Sequence, residues 1–440
     1  MVSRIFLVFT LVVLSVVFAT AQSKAMIPKD LTLSEALEIA LRNSSTLQEA
    51  LANLEQASGQ YKQSRSELLP QVDVRAHQGY LKVNLQGFGL TLPDQPSVLG
   101  PFSSMDARVL LRQDLLNIAN IRSWQSYSSR RDSSRLLVED AREVVALNVV
   151  GAYLQALTAK ANRDTVAEQV RLATELYRLT VDRFDQGAAS QLDTVRAKQQ
   201  VNSREQQRQE AEQGYVAAKL SLANFLQANV TADFEVSDQA AYGSGDTMNR
   251  DATVRVALES RADYRAAQAG VRAAELQVKA VEATRLPTVR MTFGEGQSGT
   301  TFVHNVNVYN LQGTVEFPIF TSGRISGEIQ EAQGALRAAT AALDRDRAQI
   351  EADVLAAVSG VEWALKEVET SAQNMSLSRQ ELDLSRTRFS EGVADNTEVV
   401  NAQDRLTQAD SAHIRAQYTL GVARANLARA LGGAERAYRK

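Results

Sequence analysis

Few side chains in this sequence could carry out chemistry. Its three histidines (His77, His304 and His413) lie far apart and there is no cysteine, so a soft-metal site and thiol catalysis lack their ligands and their nucleophile. There is no Gly-x-Ser-x-Gly and no phosphate-loop motif. The glycines of "GEGQSG" (Gly294–Gly299) lie between two predicted strands rather than before a helix, and His413 lies on an apolar helical seam, where a packed core residue is expected. We therefore expect no enzyme activity, no cofactor and no metal.

Composition and the N-terminal segment suggest an exported protein. The chain has 440 residues, 44% of them hydrophobic, and a net charge of −3, which offers no basic surface to nucleic acid. Residues 1–21 are predicted to be a signal peptide, in which Arg4 precedes the apolar stretch Ile5–Phe18 and Ala19–Ala21 supplies the small residues of a cleavage site. An uncleaved membrane anchor is the alternative, although the apolar stretch is short for a span of about 20 residues.

One motif occurs twice and positions the rest of the chain. The segments "RFDQGAASQLDTVRAKQQ" (Arg183–Gln200) and "RFSEGVADNTEVVNAQDR" (Arg388–Arg405) lie 205 residues apart and share Arg, Phe, Gly, Ala, Val and Ala in the same columns. Each interrupts a helical pattern at one glycine, Gly187 or Gly392. Because glycine readily adopts the left-handed conformation that ends a helix, each motif is predicted to reverse the chain between two helices.

Prolines mark the limits of the helices. They lie at positions 28, 70, 93, 96, 101, 287 and 318. Because proline breaks a helix interior, the intervening segments permit two helices near Asn117–Phe184 and Thr321–Phe389, each about 100 Å long. Apolar residues recur along them at alternating spacings of four and three, which indicates coiled-coil packing.

The same order of features appears in both halves. A Leu-Pro pair closes a helical run at 69–70 and again at 286–287. We predict two repeats, 22–230 and 252–440, each consisting of a helix, two strands, a long helix, a glycine turn and a second helix. A polar connector at 231–251 joins them.

Four segments beside the prolines alternate apolar and polar residues, as strands with one apolar face do. Their apolar positions are Val72, Val74 and Ala76; Ala107, Val109 and Leu111; Val289, Met291 and Phe293; and Tyr309, Leu311, Val315 and Phe317. Such strands suit either a transmembrane barrel with a wet lumen or an ordinary half-exposed sheet. Four strands cannot close a barrel, so three copies supplying twelve are the natural solution. The segments 84–101 and 295–305 are predicted to be the outer loops.

This organisation resembles the TolC-like outer-membrane factors, the exit ducts of bacterial efflux pumps and type I secretion systems. The resemblance rests on the paired "RFxxG" turns, the Leu-Pro pairs and "FPIFTSGR" (Phe317–Arg324), and it covers nearly the whole mature chain. The corresponding first-half junction, "QDLLNIANI", lacks the glycine. The resemblance implies an α+β membrane protein, a homotrimer in which a twelve-stranded β-barrel crosses the outer-membrane lipid and a long α-helical coiled-coil barrel continues through the periplasm. A collar near Ala232–Arg250, a periplasmic adaptor and an inner-membrane pump are implied as well.

The resemblance also assigns roles to the glycine turns, which it implies are the periplasmic tips that close the tunnel. The tip turns, expected to dock the adaptor, are Gly187, Ala188, Gly392 and Val393. Glu398 and Asn401 fall where the family often has two acidic residues around the closed pore, so three copies of Glu398 would form a carboxylate ring that favours cations. Alternatively, Glu398 is a solvated carboxylate at a helix N-terminus.

Two further tip positions bear on closure. Asp193, the first-half counterpart of Glu398, is expected to contact a neighbouring helix near the gate. The arginine that usually completes this link is replaced by Ala394, so closure is expected to rest on other contacts.

A soluble periplasmic coiled-coil adaptor or scaffold without a barrel is the competing interpretation. The heptads would suit it equally well. However, a soluble coiled-coil protein does not require the paired amphipathic strands that both halves contain. The sequence does not reveal the transported substrate.

Overall fold

In a computed structural model the chain is described over residues 27–90, 93, 96–228, 233–237, 250–394 and 396–439. The elements are β1 (Asp30–Leu31), α1 (Leu33–Asn43), α2 (Ser45–Ser66), β2 (Gln71–Asn84), β3 (Val98–Leu116), α3 (Ile118–Asp185), α4 (Gln191–Phe225), β4 (Glu235–Val236), α5 (Arg250–Ser260), α6 (Ala262–Glu282), β5 (Thr288–Gly299), β6 (Asn305–Glu316), α7 (Arg324–Ser390), α8 (Asn396–Ala430) and α9 (Ala434–Tyr438). The predicted signal peptide at 1–21 lies outside the described residues, as does the connector at 231–251 except for 233–237 and the first residues of α5.

The two predicted long helices are present. Helix α3 has 68 residues and α7 has 67, and the absence of internal proline allows their hydrogen-bond ladders to continue. Helix α7 begins at Arg324 rather than Thr321, because Ser322 and Gly323 adopt positive φ angles of 49° and 87° and form a turn. Within the described residues, α3 alone contains a stretch apolar enough to cross a membrane, and 44% of that stretch is buried. A helix packed in a protein core would also meet this criterion.

The four predicted strands form one antiparallel sheet in the order β2-β3-β5-β6. Its register places the apolar positions of neighbouring strands opposite one another: Val74 beside Val109, Leu111 beside Phe293, and Phe293 beside Leu311. Because side chains alternate between faces, these positions share one face. That face is open to solvent in the single chain, with Tyr309 77% exposed.

The opposite face of the sheet is polar. Arg112 pairs with Asp73 between β3 and β2, and Arg290 Nε lies 2.6 Å from Asp114 Oδ1 between β5 and β3. The predicted division into one apolar and one polar face is therefore confirmed.

The boundaries of the predicted loops were wrong. Strand β3 begins at Val98 and β5 continues to Gly299, so part of each predicted loop belongs to the sheet. The reason is the close approach that glycine permits: a Cβ at Gly296 would lie 2.0 Å from the carbonyl oxygen of Ala107. The glycines of "GEGQSG" are strand residues that allow tight pairing.

The chain divides into two compact units, each assembled from interleaved segments. One unit, called here the tip unit, comprises Met1–Ser44, Val149–Ala241 and Leu382–Thr407 and contains both glycine turns. The other, the sheet unit, comprises Ser45–Asn148, Tyr242–Glu381 and Gln408–Lys440 and contains the four-stranded sheet. These are spatial units, and the division into two sequence repeats remains a prediction.

Candidate functional site at the helical tips

Both tip turns adopt the backbone geometry that their glycines predicted. The φ angle is 73° at Gly187 and 77° at Gly392. At the first turn the amides of Gly187 and Ala188 donate to the carbonyls of Phe184 (2.9 Å) and Arg183 (2.8 Å), and the second turn repeats this pattern. These paired bonds satisfy carbonyls that the helix end would leave without donors. The two turns therefore share one architecture.

The arginines of the two motifs differ in their contacts. Arg183 reaches from the first turn to the second: its Nη1 donates to the carbonyl oxygen of Phe389, and its guanidinium carbon lies 4.6 Å from the centre of the Phe389 ring. Phe389 itself is buried in a cluster with Leu382 and Val399. Arg183 thus joins the two hairpins through one main-chain acceptor and one aromatic face. We call this contact the tip link.

Arg388, the counterpart of Arg183, stays within its own hairpin. Its Nε donates to Glu398 Oε1 at 3.0 Å. Glu398 lies in the first turn of α8, where the helix dipole also favours a carboxylate. Asn401 is exposed one turn further along the helix. The Glu398 charge is therefore already balanced within each chain by an arginine before the glycine, rather than by a residue at the Ala394 position.

The carboxylate of Asp193 caps its own helix. It accepts hydrogen bonds from the amide (3.0 Å) and hydroxyl (2.6 Å) of Ser190, which caps α4 in return. The hydrogen bonds from Ser190 lower the pKa of Asp193. Contact with the second hairpin runs instead through the backbone, since Asn396 Nδ2 donates to the Asp193 carbonyl oxygen at 3.3 Å.

A second link between α4 and α8 was missed by sequence reasoning. Arg204, only 6% exposed, pairs with Asp404. Gln200 Nε2 also donates to Asp404 Oδ1 at 3.0 Å, and Arg204 Nη1 donates to Gln207 Oε1 at 2.7 Å. A buried charge needs such partners. The available sequence signal was an arginine at a position of the buried seam that otherwise contains Ala197, Ala211 and Ala218.

The tip unit therefore joins the ends of two helical hairpins through polar contacts and through an apolar cluster, in which Leu176 of the first hairpin packs with Leu382 and Phe389 of the second. The tip link, the Asn396 bond and the Arg204–Asp404 pair connect the hairpins, while Glu398 is balanced locally. Contacts of this kind can be broken one at a time without disrupting a helix.

Sequence comparison identifies related proteins. The family described as Outer membrane efflux protein matches residues 36–227 and 253–433. The chain is 26% identical over 310 residues to the pyoverdine export outer membrane protein OpmQ of Pseudomonas putida. That match covers 68% of this chain and 64% of the relative, so the chain spans less than two thirds of the relative's length.

Solved structures share the fold. The Campylobacter jejuni CmeC outer membrane channel matches with a TM-score of 0.77 at 19% identity, over 94% of this chain and 89% of that one. The Vibrio cholerae outer membrane protein VceC matches at 0.78 and 20%, over 91% and 96% of the two chains. The Neisseria gonorrhoeae MtrE outer membrane channel, in its open state, matches at 0.75 and 19%, over 93% and 90%.

Proposed function

The chain belongs to the outer membrane efflux protein family, and from this premise we propose that three copies form a channel that carries substrates out of the periplasm. It is an outer-membrane protein and not an enzyme. The observation that carries the proposal is the four-stranded sheet, with one apolar exposed face and two edge strands, β2 and β6, each paired on one side only. Unpaired edges must be closed before a sheet can enter a membrane, and three copies of four strands supply twelve.

The apolar face has the dimensions of a membrane band. On β6 it includes Tyr309, Leu311 and Val315, and Phe317 follows directly after the strand; all four are more than half exposed. From Tyr309 to Phe317 there are eight residue spacings, which span about 26 Å along an extended strand. At the usual strand tilt this length covers about 20 Å of the bilayer, close to the apolar band of about 25 Å in outer-membrane barrels. Along the segment from Tyr309 to Phe317 the two aromatic residues lie at its ends, as in the girdles of such barrels.

Two helices present exposed, almost uncharged stripes that would pack between copies. On α4 the stripe follows a perfect heptad: Leu192, Val195, Gln199, Asn202, Gln206, Gln209, Gln213, Val216 and Leu220. On α7 it is Ala356, Ser359, Trp363, Lys366, Thr370, Gln373, Leu377, Gln380, Leu384 and Thr387. By contrast, an exposed stripe of α3 carries a charge at every position: Asp164, Glu168, Arg171, Glu175, Arg178 and Asp182.

This contrast in charge favours a homotrimer. An exposed seam without charge is a coiled-coil face that lacks its partner helix, whereas a charged stripe is suited to water. We therefore assign the α4 stripe of one copy to the α7 stripe of the next. Three such contacts would close the helices into a tunnel.

The tips would provide the regulated end of this channel. We propose that Gly187, Ala188, Gly392 and Val393 dock a periplasmic adaptor, which in turn recruits an inner-membrane pump. Asp193, Glu398 and Asn401 would surround the periplasmic gate. Pyoverdine, whose export is named for the Pseudomonas relative, is the first cargo to test.

Electron microscopy of the protein extracted from outer membranes in mild detergent tests the proposal. We expect threefold hollow particles with a detergent belt at one end, and retention of the protein in outer membranes after a carbonate wash. Soluble rods released by carbonate would instead support a periplasmic scaffold and reject the barrel.

A charge on the α7 stripe tests the contact between copies. Leu377→Asp should abolish the trimer, whereas Arg178→Asp, on the charged stripe of α3, should not.

A further inference from the structure

A groove in the sheet unit lies between the N-terminal part of α3 and α6. Its volume is about 770 Å³, and its walls include Arg122, Trp124 and Arg272. The two helices are fixed side by side by Ser126 Oγ, which donates to the Ala273 carbonyl oxygen at 2.8 Å, and by an equivalent bond from Ser133 to Ala266. The groove is therefore built on rigid helices rather than on loops.

Positive charge predominates in the groove. Three arginines line it (Arg122, Arg265 and Arg272), against one carboxylate, Asp132. Asp132 already pairs with Arg131 at 3.2 Å. Arg265 Nη1 lies 4.0 Å from Glu139 Oε2, so this arginine has a carboxylate partner outside the groove.

The other two arginines are available to a ligand. Within the part of the chain that the structure describes, no carboxylate lies within ion-pair distance of Arg122 or Arg272. Arg122 donates only to the Gln125 side chain, at 2.9 Å. Ser128 and Gln268 add further polar groups to the walls. The groove thus offers many hydrogen-bond donors and little negative charge.

A neighbouring copy would not cover this groove. Strand β3 leads into α3 and α6 leads into β5, and these are the two central strands of the order β2-β3-β5-β6. Copies joined through the sheet edges would meet at β2 and β6. The groove lies at the middle of each protomer, away from those edges.

We propose that this groove binds a multivalent oxyanion, such as a phosphate or a polycarboxylate, with Arg122 and Arg272 as its main contacts. Guanidinium groups form paired, charge-assisted hydrogen bonds with planar or tetrahedral oxyanions. Two such groups with no ion-pair partner gain these bonds on binding without giving up an existing pair. The site lies outside the proposed gate and adaptor-docking turns, so it is a separate function of the chain.

Trp124 provides the readout. The sequence has two tryptophans, so Trp363→Phe leaves Trp124, which lines the groove, as the single indole emitter. Because Trp363 lies on the α7 stripe, the oligomeric state of this variant is first compared with that of the wild type. The detergent-solubilised protein is then titrated with pyrophosphate and, separately, with citrate, against sodium chloride of matched ionic strength. We expect a saturable change in Trp124 emission, and the more effective ligand identifies the phosphate or the carboxylate class.

Removal of the arginines distinguishes binding from charge screening. Arg122→Gln and Arg272→Gln should each weaken binding about tenfold, and Gln268→Glu, an exposed change that leaves packing intact, should weaken it as well. Arg345→Gln, a change at an exposed arginine of the same unit, is the matched control. An emission change reproduced by sodium chloride, or equal affinities for all four variants and the Trp363→Phe parent, would overturn the proposal.

Discussion

Removing Arg183 should open the tips, because this side chain supplies the tip link between the two hairpins. The Arg183→Ala change abolishes a hydrogen bond from a charged donor to the Phe389 carbonyl and the contact of the guanidinium with the Phe389 ring. Hydrogen bonds from charged groups contribute about 1.5–3 kcal/mol and exposed cation–π contacts about 0.5–1 kcal/mol. Since Arg183 is only half-buried and water replaces part of the loss, we expect about 2 kcal/mol per chain. That free energy corresponds to about a thirtyfold shift in the opening equilibrium of each chain.

Single-channel recording in planar bilayers measures this shift. The Arg183→Ala channel should spend a larger fraction of time in high-conductance states than the wild type. Arg183→Lys, which keeps the charge near the ring but loses the planar fork, should fall between the two. Arg178→Ala removes the same charge from the exposed face of α3 and should behave as wild type. If Arg183→Ala gave the conductance of Arg178→Ala, the tip link would not hold the tips closed.

Three further predictions concern the charged groups of the two hairpins. Arg388 balances Glu398 in each chain. Reversal potentials measured in a salt gradient should therefore shift toward anion selectivity in Glu398→Ala and toward cation selectivity in Arg388→Ala. If both variants gave the wild-type potential, neither residue would line the pore. Asp404→Asn should leave Arg204 buried without its counter-charge and lower the free energy of unfolding by about 2–4 kcal/mol, and an unchanged thermal midpoint would contradict this. Burial raises the pKa of Asp410, so its stabilising contribution is present at low pH and is lost as pH rises through that pKa. Asp410→Asn should therefore stabilise the protein at about pH 8 and have little effect at about pH 4, and equal thermal shifts at both pH values would argue against a buried carboxylate.

The sequence contained most of the information about the fold because its strongest signals are local. Proline positions limited α3 and α7 to within a few residues, and the period-two alternation identified the strands. Loop boundaries were less predictable. Glycine occurs both in turns and in tightly paired strands, and only the pairing of Gly296 with Arg108, which brings it against Ala107, shows which role applies.

The contacts at the tips were harder to predict than the turns. Arg183 and Arg388 occupy the same column of a repeated motif, yet one reaches Phe389 and the other Glu398. The spacing of residues in the sequence does not show whether an arginine pairs within its own hairpin or with the other hairpin, because its partner depends on how the helices pack. Asp193 is different: we expected it to contact a neighbouring helix, but serine followed three residues later by an acid, Ser190-x-x-Asp193, is similar to a capping-box signal and would have indicated the local role that the carboxylate has.

The two glycine turns provide a test that separates backbone strain from the loss of the tip link. Both glycines have positive φ angles, so a leucine at either position should cost about 1–2 kcal/mol in backbone strain. Their surroundings differ, however. A Cβ at Gly187 would meet no atom within 4 Å, whereas a Cβ at Gly392 would lie 3.6 Å from Arg183 Nη2, so the rest of a leucine side chain there would displace the guanidinium.

Gly187→Leu and Gly392→Leu should therefore both lower the thermal midpoint. Gly392→Leu should lower it further, because it also breaks the tip link, and only Gly392→Leu should raise the open fraction of the channel. In an Arg183→Ala background the two leucine variants should become indistinguishable, because the tip link has already been removed. A difference in open fraction that persisted in that background would show that Gly392 acts through another contact. Equal opening by both leucine variants in the wild-type background would show that strain in either turn is sufficient, and the asymmetry between the two hairpins would then have no part in closing the channel.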